Sequence, residues 1–147
     1  MKRKILSVLL ACAMALALLP ATALAEEPTA NVAKIGETGY PTLAAAVGAA
    51  NDGDTVTLLG DVTEGAVIPA DKTITLDLNG KTLKREATAF DVYGNLTIKN
   101  GTIEMKSAEN QVAIWLNQTA KLTIESNATV SVLNQGFAVA LYSDCTT

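Results

Sequence analysis

The sequence predicts an all-β solenoid, in which short parallel strands wind for three to four turns around one apolar interior behind a short capping α-helix. Three observations predict it. The first is a repeat. Ala89-Phe90-Asp91-Val92-Tyr93 is followed by Leu96-Thr97-Ile98 and Thr102-Ile103-Glu104-Met105. Ala113-Ile114-Trp115-Leu116-Asn117 is then followed by Leu122-Thr123-Ile124 and Thr129-Val130-Ser131-Val132, and Ala138-Val139-Ala140-Leu141-Tyr142 opens a third copy. Ile114 and Val139 follow Phe90 and Ile114 by 24 and 25 residues, and Val67 precedes Phe90 by 23. A period in the twenties marks a unit too small to bury its own apolar face, which does so by stacking on its neighbours. The second observation is parity. Thr55-Val56-Thr57-Leu58 and Thr73-Ile74-Thr75-Leu76-Asp77-Leu78 alternate polar and apolar, as strands with one wet face do. The third is punctuation. Asn79-Gly80, Asn100-Gly101 and Asn127-Ala128 stand at matching places after Leu78, Ile98 and Ile124. An isolated Asn-Gly reads as a hairpin, which would turn the next strand antiparallel. Recurrence once per repeat favours a corner, with Asn in the left-handed region and its amide bonded to the Asn of the next turn.

Taken in order, the chain of 147 residues begins with Lys2-Arg3-Lys4, an apolar run from Ile5 to Leu19, Pro20 and Ala23-Leu24-Ala25. These are the parts of a secretory signal peptide over residues 1–25, with cleavage after Ala25. Cleavage removes three of the eleven basic residues and leaves 8 against 15 acidic ones, a net charge of about −7. That balance excludes nucleic acid as a partner, and no membrane span is expected after cleavage. Cys12 lies in the apolar run and Cys145 near the end, so no intrachain disulfide is expected after cleavage. Leu9-Leu10-Ala11-Cys12 allows a lipoprotein site, but Ala13 to Leu19 stays apolar where a polar tether is expected.

One domain follows. Residues 26–31 form a flexible leader, and Val32-Ala33-Lys34-Ile35 a first strand ended by Gly36 and halted by Tyr40-Pro41. Thr42 is an N-cap for a capping helix over 42–50, whose Leu43, Ala46, Val47 and Ala50 share one face. Asn51-Asp52-Gly53-Asp54 closes it. The helix would plug the open end of the stack. The chain ends inside a strand-turn unit, so residues 32–147 are expected to be the N-terminal part of a longer β-helix domain, truncated at the C-terminus. The four Asn-x-Thr triplets, beginning at Asn95, Asn100, Asn117 and Asn127, are expected to serve corners and strands and not to carry glycans.

Three strands per turn, a helix ahead of them, and Asp52-Gly53-Asp54-Thr55-Val56-Thr57-Leu58 together resemble the right-handed parallel β-helix of the pectate-lyase-like (pectin lyase fold) superfamily. Ala33-Lys34-Ile35-Gly36, Tyr40-Pro41-Thr42-Leu43 and Ile74-Thr75-Leu76-Asp77-Leu78-Asn79-Gly80-Lys81-Thr82-Leu83 are similar to the N-terminal part of large bacterial cell-surface proteins of that fold. The resemblance spans Val32 to Tyr142 and implies polysaccharide lyases, hydrolases, adhesins or wall-anchored proteins. Its motifs are structural and do not choose between them.

Chemistry has to come from the outward columns. With Phe90, Val92, Ile114, Leu116, Val139 and Leu141 inward, parity puts Asp91, Trp115 and Ala140 outward in one column and Tyr93, Asn117 and Tyr142 in the next. Asp91, Tyr93, Trp115, Asn117 and Tyr142 would form a flat strip for glycan, rings stacking on pyranose faces and polar groups bonding hydroxyls. Equally, Trp115 can be outer-face filler packed beneath the 117–121 connection. A lyase of the resembling superfamily would need clustered acids for Ca²⁺ and a basic proton acceptor, and a hydrolase two or three carboxylates about 5 to 9 Å apart. Asp91 has no acidic neighbour in its column, and Asp77, Glu104 and Glu125 lie on other strands. Asp52 and Asp54 offer too few oxygens for Ca²⁺ and read as a turn. Histidine is absent, so the commonest general base is missing. No catalytic, cofactor or metal site is expected. The expected protein is a secreted or surface-exposed stalk or adhesin segment whose partner is an extracellular polysaccharide or host or cell-wall glycan. The alternative is the front of a polysaccharide lyase or glycoside hydrolase with its catalytic turns beyond residue 147.

Overall fold

The structure is a computed structural model that describes residues 30–141, without the side chains of 107–110, 135 and 141. The expected signal peptide, most of the leader, both cysteines and Tyr142 lie outside the described residues.

Strands fall into three stacks. In the first, β3 (Thr55–Leu58), β5 (Thr73–Asp77), β8 (Asn95–Lys99) and β10 (Lys121–Ile124) pair in parallel. The second holds β6 (Thr82–Arg85), the first half of β9 (Gly101–Leu116) and the first half of β11 (Ala128–Leu141). The third holds β4 (Ala66–Ile68), β7 (Phe90–Val92) and the second halves of β9 and β11. The expected parallel β-solenoid is thus the fold. Three separate strands per turn hold only for the early turns, because β9 and β11 each run through a corner as one strand. Register between them shifts at Asn134 and Gly136, and Asn134 takes φ 76° there.

Parity decides what lies inside. Val56, Leu76 and Ile98 stack in register, as do Leu83 with Ile103 and Phe90 with Ile114, and all are buried. Outside, Thr55, Thr75, Thr97 and Thr123 form a column, β-branched side chains that suit a pleated surface. One register differs from the sequence reading. Val67 is not in register with Phe90; Ala66 is, and Val67 is in register with Asp91. The step is therefore 24 residues, and since side chains alternate with period two, that single residue moves Val67 from the interior to the surface.

Two of the three expected Asn corners take the left-handed conformation, and Asn127, expected there too, does not. Asn79 and Asn100 take φ 50° and 59°. Asn127 Nδ2 donates to Asn100 Oδ1 at 2.6 Å, one rung of an amide ladder. Asn100 and Asn79 are not joined directly. Asn100 Nδ2 donates to Asp77 Oδ1 at 2.9 Å, and the same oxygen accepts from the Asn79 backbone N–H at 2.9 Å. Lys99 sits 3.7 Å from the other Asp77 oxygen.

The N-terminal end is the exception to parallel winding. β1 (Ala33–Ile35) pairs antiparallel with β3, and β2 (Thr38–Tyr40) antiparallel with β1. Tyr40-Pro41 was expected merely to halt the first strand; instead Thr38–Tyr40 is a second strand. Gly36-Glu37 makes a two-residue loop with Gly36 at φ 55°, which is hairpin chemistry. The hairpin occupies the sheet edge that would otherwise be left unpaired.

Helix α1 (Leu43–Ala49) packs Leu43, Ala46 and Val47, with Ala50 behind them, into the first turn of the core. Seven residues cannot hold a helix in water alone. Two acceptors serve its N-terminus: Thr42 Oγ1 takes the Ala45 N–H at 3.0 Å, and Glu64, from the loop before β4, takes the Leu43 N–H at 2.6 Å. Thr42→Ala is expected to lower stability by about 1 kcal/mol, read as a drop in the urea midpoint at unchanged slope. A loss well under 0.5 kcal/mol would show that Glu64 and packing hold the helix without the cap.

Candidate functional site

The expected strip begins in β7, where burial of Phe90 and Val92 turns Asp91 outward. The rung above sets Trp115 of β9 in register with Asp91, the rung below sets Val67, and Ala140 follows Trp115. Val67 is 54% exposed and Trp115 38%, so the indole offers part of its surface to solvent although its neighbours Ile114 and Ala113 are fully buried.

Tyr93 and Asn117 continue the ladder just past their strands, the Tyr93 N–H bonding Ile68 O and the Asn117 N–H bonding Val92 O, each at 2.9 Å. Tyr93 is 47% exposed. Next to it, a Cβ at Gly94 would run into the carbonyl oxygens of Pro69 and Lys72. The chain can pass that close to the preceding turn only without a side chain. Asn117 differs from expectation, because its side-chain amide donates to Val92 O at 3.2 Å and so turns back to the ladder. Of the five residues expected in the strip, the structure sets Asp91 and Trp115 in register, leaves Tyr93 exposed just past β7, uses the Asn117 amide as a backbone partner, and does not describe Tyr142.

Carboxylates separate into two groups. Asp52 Oδ1 takes the Thr73 N–H at 2.6 Å, Asp54 Oδ2 the Asn51 N–H at 2.7 Å and Asp61 Oδ1 the Thr82 N–H at 2.8 Å. With Asp77 and Glu64, these acids close corners and cap the helix. The turn reading of Asp52 and Asp54 therefore has its physical reason. Asp91 belongs to the other group, with Glu37, Asp71, Glu86, Glu104 and Glu125: among the described residues its carboxylate makes no hydrogen bond or ion pair. Among the same residues, no group of three or more His, Cys, Asp or Glu is placed to hold a metal ion.

Two open depressions flank Arg85, and the sequence reading found neither. One, of about 380 Å³, is lined by Ala44, Glu64, Val67, Arg85, Thr88 and Asp91, so it joins the Val67 and Asp91 end of the column. The other, of about 460 Å³, is lined by Thr63, Lys84, Arg85, Glu86, Glu104 and Lys106. Between them the Arg85 guanidinium donates to Thr63 O at 3.0 Å and to Thr88 O at 3.2 and 3.3 Å, holding the 86–88 loop to the turn below. No local pattern marks Glu64, whose partner lies 21 residues away, or the bond from Arg85 to Thr63 across 22 residues. Val67 joins Asp91 only at a step of 24, whereas the interval of 23 read from the sequence aligns it with Phe90.

The arrangement can hold a flat, partly apolar molecule against Trp115 and Val67 while Asp91 accepts hydrogen bonds from it. Comparison of the chain with protein-family models, curated proteins and solved structures finds no match.

Proposed function

We propose that this chain is a non-catalytic, exported cell-surface β-helix protein, an adhesin or stalk segment of the pectate-lyase-like type, that holds glycan on its Val67, Asp91, Trp115 and Tyr93 surface. One observation carries the reading: an outward tryptophan stands in register with a carboxylate that has no other partner among the described residues. Asp52, Asp54 and Asp61 are engaged in corners, and Glu64, which shares a depression with Asp91, is engaged at the helix N-terminus, which supports binding over hydrolysis by a carboxylate pair. The pectate-lyase-like assignment rests on the resemblance of the capping segment and the Asn-bearing corners. Export rests on the basic and apolar N-terminal run.

Trp115→Ala is expected to weaken glycan binding about tenfold or more, equivalent to about 1.4 kcal/mol, read on an oligosaccharide array and by titration of the array's best ligand. Trp115 faces outward and is 38% exposed, so the fold should survive, which a urea midpoint checks. Binding unchanged by this substitution would remove the aromatic surface as the glycan site.

A further inference from the structure

Resting on that reading, we infer that the surface takes an uncharged, hydroxyl-rich pyranose chain lying along the axis of the stack, and rejects polyanionic glycans such as polyuronates. The direction follows from the register. Val67, Asp91 and Trp115 sit on successive rungs, so the column crosses the strands and advances by about 4.8 Å per rung. A chain of pyranose rings laid along it meets a new outward side chain at each rung. Laid along a strand, it would leave the column after one.

The charge preference follows from which ions face the column. Asp91 is its one ionic group, since the column runs Val67, Asp91, Trp115, Ala140 and the adjoining ladder positions are Tyr93 and Asn117. An ionised carboxylate only accepts hydrogen bonds, so its ligand must bring donors, and sugar hydroxyls do. A uronate would bring a second carboxylate to the same place. Like charges brought together without a cation are repulsive, and such a contact works against the wrong partner. Cations do lie nearby, but they are otherwise placed. Arg85 directs three N–H donors to Thr63 and Thr88 carbonyls. Lys84 and Lys106 line the far depression, where Glu86 and Glu104 accompany them and Lys84 is in register with Glu104. The depression that continues the column adds Glu64 to Asp91, and the Glu64 carboxylate is held by the helix N-terminus. Arg85 lines this depression too, so its ionic groups Glu64, Asp91 and Arg85 leave one negative charge in balance, with the guanidinium turned to the Thr63 and Thr88 carbonyls.

The test uses the full chain and two variants, Trp115→Ala and Asp91→Asn, against paired sets of neutral oligosaccharides and oligogalacturonates of equal length. Neutral oligomers are expected to bind in a Trp115-dependent way and oligogalacturonates at least tenfold more weakly. Asp91→Asn keeps the shape and removes the charge, so it should narrow that gap at least threefold, and added salt should narrow it for the unaltered chain. Trp115-dependent binding of oligogalacturonate as tight as that of the neutral set would overturn the charge inference and leave the aromatic surface standing. A gap that Asp91→Asn leaves unchanged would also overturn it, by showing that some other group discriminates. Absence of Trp115-dependent binding to any member of either set would overturn the glycan reading itself, and this inference with it.

Discussion

Phe90→Ala is expected to cost about 3–5 kcal/mol of unfolding free energy, whereas the same replacement at Phe137 should cost under about 1 kcal/mol. The chain has only these two phenylalanines, and both take inward-parity positions. Phe90 is 1% exposed, with Ala66 beneath it and Ile114 above. Its removal leaves a hole that backbone ladders on both sides prevent from closing. Phe137 stands over Val112 in the last described rung, nothing described lies above it, and it is 58% exposed. Urea unfolding of the two variants reads the difference as midpoints at constant slope. Equal losses would contradict stacking as the source of stability, because a solenoid rung buries its apolar side chains only as far as both neighbours cover them.

Asn100→Ala is the second large effect, expected at about 2–5 kcal/mol. Two independent causes add. Alanine at φ 59° incurs about 1–2 kcal/mol for the left-handed conformation. It also loses the hydrogen bonds to Asp77 Oδ1 and from Asn127 Nδ2, at about 0.5–1.5 kcal/mol each. Asn100→Gly separates the causes, since glycine accepts the backbone but not the bonds. It should be milder than alanine by about 1 kcal/mol. If glycine proves as damaging as alanine, conformation is not what selects asparagine at this corner, and the ladder of amides is the whole reason.

These two positions show where sequence and tertiary structure divide the work. Phe90, Ile114 and Val139 announce their stacking by recurring at near-equal intervals, each directly after an alanine, and Asn100 announces its corner as one of the asparagines that recur once per turn. Both signals are local patterns repeated along the chain. Asp77 gave no such signal. Its carboxylate links Asn79 to Asn100 because the winding brings residues 23 apart to within hydrogen-bond distance, and nothing around Asp77 distinguishes it from other outward polar positions.

The candidate site divides in the same way. Parity alone turned Asp91 and Trp115 outward and made them neighbours once the step was known. It also overstated Asn117, because parity states the side a residue leaves from and not where its amide bonds afterwards. The depression at the Val67 end was out of reach, since it exists only because α1, the Glu64 loop and Arg85 converge beside Asp91.

What the sequence by itself determined, then, is the parallel stack, the faces of its strands, the Thr42-capped helix and its Asn corners, since each follows from a short period that backbone geometry converts directly into direction. Tertiary structure alone decided the antiparallel N-terminal hairpin, the one-residue register of Val67, the seat of Glu64 on the helix and the freedom of the Asp91 carboxylate. These depend on which distant groups meet, and a hydrogen bond across some twenty residues leaves no periodic mark on either partner.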